Sequence, residues 1–211
     1  MKITILCSSK DHRIYPYLED WKKKHSNLHE ISLVNNIQDV TTGDILFLIS
    51  VTEIVKQEVR NRFKHSLVIH GSDLPEGRGW SPIVWQIIHG SDKFTVTLFE
   101  AVDQVDAGNV WKKQSFTLEG HELYNEINEK LFETELDLMD FALKNSTNIN
   151  PIPQPKVNNS YFKRRKSEDS ELDPQKTIAE QFDLMRVADP NRFPLFFTFR
   201  GHKYKIFLQK S

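Results

Sequence analysis

Hydrophobic positions in the first half of the chain form short, strand-like runs separated by segments with helical spacing. Residues 44–50 are almost entirely apolar, which suits a strand covered on both faces of a sheet. Apolar side chains at Tyr15, Leu18 and Trp21 have the spacing of one helix face. The same criteria predict strands at 2–7, 30–34, 66–70 and 94–100 and helices at 15–25, 52–63 (with Thr52 as a candidate N-cap) and 82–88.

The second half has one long helical period followed by a smaller, less regular region. Residues 121–145 predict one helix, with a single break as the alternative, and the Asn- and Pro-rich residues 145–160 predict a loop or linker. Pro174 is well placed to open a helix over 174–187. Two short runs around Arg-Gly-His-Lys predict a β-hairpin, with strands at 195–199 and 204–208.

Strand–helix alternation of this kind predicts an α/β fold with a Rossmann-like, mostly parallel sheet and flanking helices. We divide the chain into a catalytic domain at 1–145 and a C-terminal extension at 146–211 that contains a loop, a small helix and the β-hairpin.

Composition narrows the classes of function. The formal charge is -1, which argues against non-specific binding to nucleic acid, because such binding needs a basic surface. A single cysteine, Cys7, excludes an internal disulfide, and no apolar run reaches the ~20 residues that span a membrane. The N-terminus lacks the pattern of a signal peptide. We expect a soluble, cytoplasmic protein that binds neither nucleic acid nor membrane.

Candidate chemistry is concentrated between Ser66 and Gly108. His70 ends a β-branched run and precedes a loop rich in Gly and Pro, and α/β sheets bind ligands beyond the carboxyl ends of their strands. Taken alone, such a histidine is more often structural, and Asp106 in a Val-Asp-Ala-Gly turn commonly bonds its own backbone. His65 and His70 point to opposite faces of their strand, and no other pair has ligand spacing, so we predict no metal site.

The order and spacing of the motifs favour a functional role for both His70 and Asp106. His-Gly-Ser-x-Leu-Pro begins at His70, Arg-Gly-x-x-Pro at Arg78, and Val-Thr-Leu and Val-Asp-Ala-Gly follow. This series closely resembles the 10-formyltetrahydrofolate-dependent formyltransferases, which formylate initiator tRNA, glycinamide ribonucleotide and nucleotide-linked amino sugars. The resemblance is strong from about 44 to 112 and extends more weakly to Arg164–Asp169 and Phe193–Phe197.

The resemblance implies that His70 and Asp106 are catalytic and that 10-formyltetrahydrofolate donates a formyl group to a primary amine, leaving tetrahydrofolate. The positions that match the family's cofactor contacts are Glu53, Ile54, Val55, Ser72, Leu74, Val102, Asp103, Gln104 and Val105. Acceptor contacts are expected from Arg78, Trp80, Arg164 and Arg165, with the two adjacent arginines facing a diphosphate.

The acceptor is expected to be a small nucleotide sugar. A tRNA acceptor usually requires a larger C-terminal domain and a basic surface, and the variant Ser-Asp-Leu-Pro-x-Gly-Arg-Gly-Trp-Ser-Pro resembles sugar N-formyltransferases of the pseudaminic acid (nonulosonate) type, which serve flagellin glycosylation. The resemblance therefore implies a UDP-linked 4-amino-6-deoxy sugar. The alternatives are a formyltetrahydrofolate hydrolase and a catalytically impaired folate-binding module. A homodimer is compatible with the sequence.

One position departs from the family pattern. The family has an asparagine two residues before the histidine, and this chain has Val68. Val68 and His70 lie on the same face of a strand. In the family the asparagine helps to stabilise the oxyanion, and losing one such donor typically costs about 10²- to 10³-fold in rate. Another donor at the site, a slow enzyme or a non-catalytic protein would each be consistent with the valine.

Overall fold

The computed structural model describes residues 1–155 and 160–211. Ten strands are present in these residues, namely β1 (Lys2–Leu6), β2 (Glu30–Val34), β3 (Gly43–Leu48), β4 (Phe63–His70), β5 (Arg78–Gly79), β6 (Lys93–Glu100), β7 (Val110–Thr117), β8 (Tyr161–Phe162), β9 (Leu195–Phe199) and β10 (His202–Ile206). The α-helices are α1 (Tyr15–His25), α2 (Gln57–Arg60), α3 (Pro82–Ile88), α4 (Tyr124–Asn145) and α5 (Ile178–Arg186), with 3₁₀ turns at Ile37–Asp39 and Ser167–Ser170. No helix among the described residues is long and apolar enough to cross a membrane.

Six strands form the main sheet in the order β2-β1-β3-β4-β6-β7. The first four run parallel, and β6 and β7 add to the edge in antiparallel directions. The predicted α/β class and mostly parallel sheet are confirmed. Because β3 and β4 are parallel neighbours, the loops that follow them open at the same edge of the sheet.

The core lies on both faces of this sheet, which explains the unbroken apolar run of β3. Ile45 and Phe47 face a layer formed with α1 and α4, where Leu138 is fully buried. Leu46 and Leu48 face the opposite layer. We call this second layer the α2-side cluster; its buried members are Leu6, Val40, Leu46, Leu48, Val55, Val59 and Phe63.

The predicted helix at 52–63 is wrong. Helix α2 spans only Gln57–Arg60, and Thr52 caps no helix. The segment before α2 is extended so that Val55 can reach the α2-side cluster, while Phe63 already belongs to β4 and pairs with Gly43. Tertiary packing therefore overrides the local helical spacing.

Strand β7 was not predicted, because Val110–Thr117 includes a Lys-Lys-Gln-Ser run with little apolar alternation. It is an edge strand with several exposed side chains, so its pairing with β6 does not require an apolar sequence.

The two remaining helices differ from prediction in detail. Helix α4 is continuous. Helix α5 begins at Ile178 rather than at Pro174, because Thr177 and Glu180 form a capping box in which the Thr177 hydroxyl accepts the Glu180 N–H at 3.3 Å.

Beyond α4 the chain returns to the sheet and then forms a hairpin, whose second strand begins at His202, two residues earlier than predicted. An isolated bridge joins Val110 to Ile152, and β8 pairs in parallel with the short strand β5. Strands β9 and β10 are antiparallel, joined by a turn in which Arg200 and Gly201 both have positive φ. The division of the chain at 145/146 into two domains stays a prediction.

Candidate active site

Strand β4 delivers His70 to the carboxyl edge of the sheet, and the loop after it is held from several sides. The Ser72 carbonyl accepts the buried Thr97 hydroxyl of β6 at 2.6 Å. The Leu74 carbonyl accepts the Lys113 ammonium of β7 at 2.6 Å. Bonds from two different strands fix the course of the loop as it leaves His70.

His70 and Asp106 meet inside this edge. Their side chains are only 11% and 10% exposed, and Nε2 of His70 lies 3.9 Å from Oδ2 of Asp106. The same imidazole nitrogen lies 3.0 Å from the carbonyl oxygen of Gly77, and Oδ2 of Asp106 accepts the N–H of Gly79 at 3.0 Å. The loop of 71–79 thus supplies one backbone group to each of the two side chains, and it brings together residues that are distant in sequence.

The turn that carries Asp106 has restricted geometry. Asp106 has a φ of 54°, a left-handed conformation that aspartate and asparagine tolerate better than most side chains. At Gly108 a Cβ atom would lie 1.7 Å from the Glu100 carbonyl oxygen, so only glycine fits against the end of β6. The Val-Asp-Ala-Gly pattern therefore records both a special backbone conformation and a close approach.

The residues predicted to contact the cofactor occupy two neighbouring loops and the loop after His70. Val51 and Ala101 both pack against the α2-side cluster, so the loops after β3 and β6 begin at the same apolar layer. Ile54, Val102 and Val105 are exposed aliphatic side chains on these loops. Glu53, Asp103 and Gln104 are exposed, while Val55, Ser72 and Leu74 are buried.

Two further contacts shape this region. The buried guanidinium of Arg60 in α2 pairs with Asp103 and anchors the loop after β6. The Ser72 hydroxyl is buried and has no hydrogen-bond partner among the described residues. A Cβ at Gly77 would lie 3.5 Å from this hydroxyl, so the unpartnered group is next to the residue that contacts His70.

Val68 shares the face of β4 with His70 and is half-buried against the α2-side cluster. The members of that cluster are all apolar, so the position that the resemblance assigns to an amide is part of an apolar wall here. In the structure, the hydrogen-bonding groups close to His70 are the backbone of the 71–79 loop and the carboxylate of Asp106.

The residues predicted to contact the acceptor differ in their exposure and in their hydrogen-bond partners. The exposed guanidinium of Arg164 lies 4.8 Å from the centroid of the half-buried Trp80 ring. Arg78 donates to the Gln154 side chain at 3.1 Å. Arg165 is only 6% exposed: it donates to the Ser170 hydroxyl at 2.9 Å and lies over the Phe193 ring.

The placement of Arg165 corrects our expectation that both adjacent arginines face a diphosphate. Its guanidinium is used inside the C-terminal region, where burial lowers its pKa and the charge of Asp169 opposes that effect. Burial raises the pKa of Asp169, but hydrogen bonds from Lys163 and from the Lys166 backbone outweigh this and lower the pKa overall. This segment is a structural ion network, and only Arg164 of the pair is exposed.

Sequence reasoning missed the contribution of the segment after α4, which it assigned to a linker. The Ser160 hydroxyl accepts the N–H of Gly77 at 2.8 Å, and the Trp80 N–H donates to the Phe162 carbonyl at 3.0 Å. Residues 156–159 of the predicted linker lie outside the described residues. No sequence signal marks such contacts, because they are made to backbone atoms of the loop.

No group of three or more His, Cys, Asp or Glu side chains in residues 1–155 and 160–211 is arranged to hold a metal ion. At the carboxyl edge of the sheet, the site therefore consists of the His70 imidazole beside the Asp106 carboxylate, with backbone N–H groups and exposed aliphatic side chains nearby.

Comparison with known proteins places this arrangement in a family. A family model described as formyl transferase matches residues 8–143. The chain belongs to the formyl transferase family. It is 30% identical over 148 residues to the methionyl-tRNA formyltransferase of Rickettsia africae (strain ESF-5), an alignment that covers 70% of this chain and 48% of that relative. The chain therefore spans about half the length of the curated relatives it matches.

Solved structures show the same fold. Methionyl-tRNA formyltransferase from Clostridium thermocellum superposes with a TM-score of 0.81 at 21% identity, covering 96% of this chain and 90% of that one. WlaRD, a sugar 3N-formyl transferase crystallised with dTDP and 5-N-formyl-THF, superposes with a TM-score of 0.68 at 17% identity, covering 89% of this chain and 78% of that one. The predicted family and fold are confirmed, and relatives of this fold act on different acceptors.

Proposed function

We propose that the protein transfers a formyl group from 10-formyltetrahydrofolate to the primary amine of a nucleotide-linked amino sugar. The observation that carries the proposal is the pair of half-buried residues His70 and Asp106, whose Nε2 and Oδ2 atoms lie 3.9 Å apart at the carboxyl end of β4. The carboxyl end of a strand is where ligands bind in such sheets, and an imidazole beside a carboxylate can transfer protons at an acyl centre.

The residues present fit a folate donor. Ile54, Val102 and Val105 form exposed aliphatic surface on the two loops beside the site, which suits a flat heteroaromatic ring. The buried Ser72 hydroxyl, which has no hydrogen-bond partner among the described residues, is a polar group beside Gly77, whose carbonyl contacts His70. When bound, the cofactor would supply the formyl group as an activated amide.

His70 is proposed to move the proton. A primary amine that attacks the formyl carbon must lose a proton, and the nitrogen that leaves the formyl carbon must gain one. An imidazole can accept the first and return the second, because it titrates near neutrality. The Asp106 carboxylate favours the charged imidazolium between these events. The 71–79 loop and the low exposure of both side chains exclude bulk water from the pair.

Negative charge develops on the formyl oxygen as the amine attacks, and a hydrogen-bond donor has to stabilise it. The side chain of Val68 cannot donate, so the donor must be another group. The protonated imidazole of His70 and the backbone N–H groups after it are the proposed donors, since imidazolium donates from both nitrogens. The N–H of Ser72 is excluded from this role, because it already donates to the His70 carbonyl at 2.9 Å.

The proposed acceptor is a UDP-linked 4-amino-6-deoxy sugar of the kind used in pseudaminic acid-type pathways. The exposed guanidinium of Arg164 stacked on Trp80 offers a cation beside an aromatic surface, which suits a phosphate-bearing sugar nucleotide. The similarity of WlaRD, a sugar 3N-formyl transferase, supports an acceptor of this class. Methionyl-tRNA is the second candidate, favoured by the sequence match to the Rickettsia formyltransferase.

One assay separates the candidates. The full chain is incubated with 10-formyltetrahydrofolate alone, with UDP- and dTDP-linked amino sugars, and with methionyl-tRNA, and tetrahydrofolate and formylated acceptor are quantified by chromatography. Release that requires a sugar nucleotide, with an equal amount of formylated sugar, is the expected result. Release that requires tRNA would replace the acceptor, acceptor-independent release would indicate a hydrolase, and no release in any arm would reject catalysis.

A further inference from the structure

Gln154 lies in the Pro-rich segment after α4, yet its side chain contacts the turn that carries Asp106. Its Nε2 amide donates to the carbonyl oxygen of Asp106 at 3.1 Å and to that of Gly108 at 2.8 Å. Its Oε1 accepts from the Arg78 guanidinium at 3.1 Å. One side chain thus joins the Asp106 turn to the loop that contacts His70.

The turn that carries Asp106 has a backbone conformation that depends on contacts such as those of Gln154. A left-handed φ at a non-glycine residue persists where the surroundings enforce it, and Asp106 has a φ of 54°. Gln154 satisfies two carbonyl groups of this turn with one amide. It is itself placed by β7, because Val110 and Ile152 exchange two backbone hydrogen bonds of 2.8 Å.

We propose that Gln154 is a positioning residue that holds the Asp106 carboxylate beside His70. The inference rests on the proposed roles of His70 and Asp106. Within residues 1–155 and 160–211, Asp106 is the carboxylate in ion-pair range of the His70 imidazole, at 3.9 Å. A displacement of about 1 Å at such a site can cost roughly 10²-fold in rate.

The contacts form a closed ring, which gives the proposal its direction. Asp106 is held at its carboxylate by the Gly79 N–H and at its carbonyl by Gln154, and Gln154 in turn holds Arg78, the neighbour of Gly79. Without Gln154, the turn loses the contacts to its Asp106 and Gly108 carbonyls, and the Gly79 N–H is the one contact of this ring that still holds Asp106. The carboxylate should then shift relative to the imidazole, which the Gly77 carbonyl still contacts.

The test compares Gln154→Met with Gln114→Met in the full chain. Methionine keeps the length of the side chain and removes its donors and acceptor. Gln114 of β7 is a matched control. It is also half-buried, and it donates one hydrogen bond of 2.9 Å to the Asp137 side chain. The readout is the distance between Nε2 of His70 and Oδ2 of Asp106 in crystal structures of the wild type and of both variants, measured beside steady-state kinetics.

We expect this distance to lengthen by about 1 Å in Gln154→Met, because the turn that carries the carboxylate loses its support, and to stay unchanged in Gln114→Met. In parallel, kcat should fall by roughly 10- to 100-fold with KM for 10-formyltetrahydrofolate nearly constant. An unchanged distance in a folded Gln154→Met variant would overturn the proposal.

A second variant guards against misfolding. Gln154→Asn keeps the amide but shortens the side chain, so it should lengthen the contacts to the turn and displace the carboxylate by a smaller amount. If Gln154→Met does not fold, the Asn variant decides in its place. A wild-type chain without transferase activity would reject the proposed function, whereas the structures would still judge the placement of Asp106.

Discussion

Oδ2 of Asp106 accepts a hydrogen bond from the Gly79 N–H at 3.0 Å while standing 3.9 Å from Nε2 of His70. The carboxylate is therefore within ion-pair range of the imidazole but is not hydrogen-bonded to it in this state. Backbone contact fixes the carboxylate first, and the imidazole is held separately by the Gly77 carbonyl. Substitutions that remove the charge and those that remove the contact should have different consequences.

Asp106→Asn tests the charge alone. Asparagine tolerates the left-handed backbone and its side-chain oxygen can still accept the Gly79 N–H. A charge pair at about 4 Å is worth up to roughly 4 kcal/mol at a partly buried site, so turnover should fall by about 10- to 1000-fold while folate affinity changes little. Steady-state kinetics and calorimetric folate titration measure the two quantities. Loss of folate binding with a normal saturated rate would assign Asp106 to the cofactor loop instead.

His70→Ala should abolish measurable transfer and leave the protein folded, because His70 is at the end of its strand rather than within the core. Loss of a general acid–base group typically costs about 10²- to 10⁴-fold. His65→Ala is the matched control: His65 is a half-buried histidine of the same strand, and its Nε2 lies 3.0 Å from the Ser146 carbonyl, outside the candidate site. Near-normal turnover of the His70 variant would contradict the assigned mechanism.

Part of this arrangement could be predicted from the sequence, because it depends on local pattern. Strand alternation and the loop after β4 placed His70 at a sheet edge, and the apolar run of β3 predicted a strand buried on both faces. Gln154 was not predictable, since it bonds to backbone carbonyls that leave no trace in residue type. Strand β7 was missed because an edge strand can be polar, and the roles of the site residues stay predictions.

Substitution of Arg165 should mainly lower stability, whereas substitution of its neighbour Arg164 should mainly weaken acceptor binding. Arg165→Ala removes a buried hydrogen bond to Ser170 and the contact over Phe193, so it should lower the free energy of unfolding by roughly 1.5–3 kcal/mol. Arg164→Ala removes an exposed cation from the Trp80 ring and should cost less than about 1 kcal/mol, while raising KM for the sugar nucleotide. Urea unfolding and acceptor kinetics on both variants check the assignment. An unchanged acceptor KM in Arg164→Ala would exclude it from the acceptor site.

Val68→Asn restores the amide of the family at the strand end. Val68 packs against the α2-side cluster, so we expect the polar amide to cost roughly 1–3 kcal/mol of stability. If the amide reaches the developing oxyanion, transfer should be equal or faster. Val68→Ala loses the same packing without adding a donor and is therefore the control. A rate for Val68→Asn below that of Val68→Ala would show that the amide does not face the reacting carbonyl.

Glu135 of α4 should make stability depend on pH. Burial raises the pKa of its carboxyl from 4.5 to about 8, and its Oε2 has no hydrogen-bond partner among the described residues. Because the folded-state pKa lies above the unfolded one, the carboxyl is neutral in both states below pH 4.5, and the cost of a buried charge grows as the pH rises toward 8. Each tenfold change in proton affinity is worth about 1.4 kcal/mol.

Glu135→Gln removes this charge at nearly constant shape. We expect the variant to be more stable than wild type by roughly 1–3 kcal/mol at alkaline pH, with the difference shrinking to near zero as the pH falls to the ordinary range of a glutamate. Urea unfolding at several pH values measures it. Glu133→Gln, at an exposed position on the same helix, should show no such dependence. Equal stability of Glu135→Gln and wild type across the whole range would mean that the Glu135 carboxylate is solvated or paired in the folded protein.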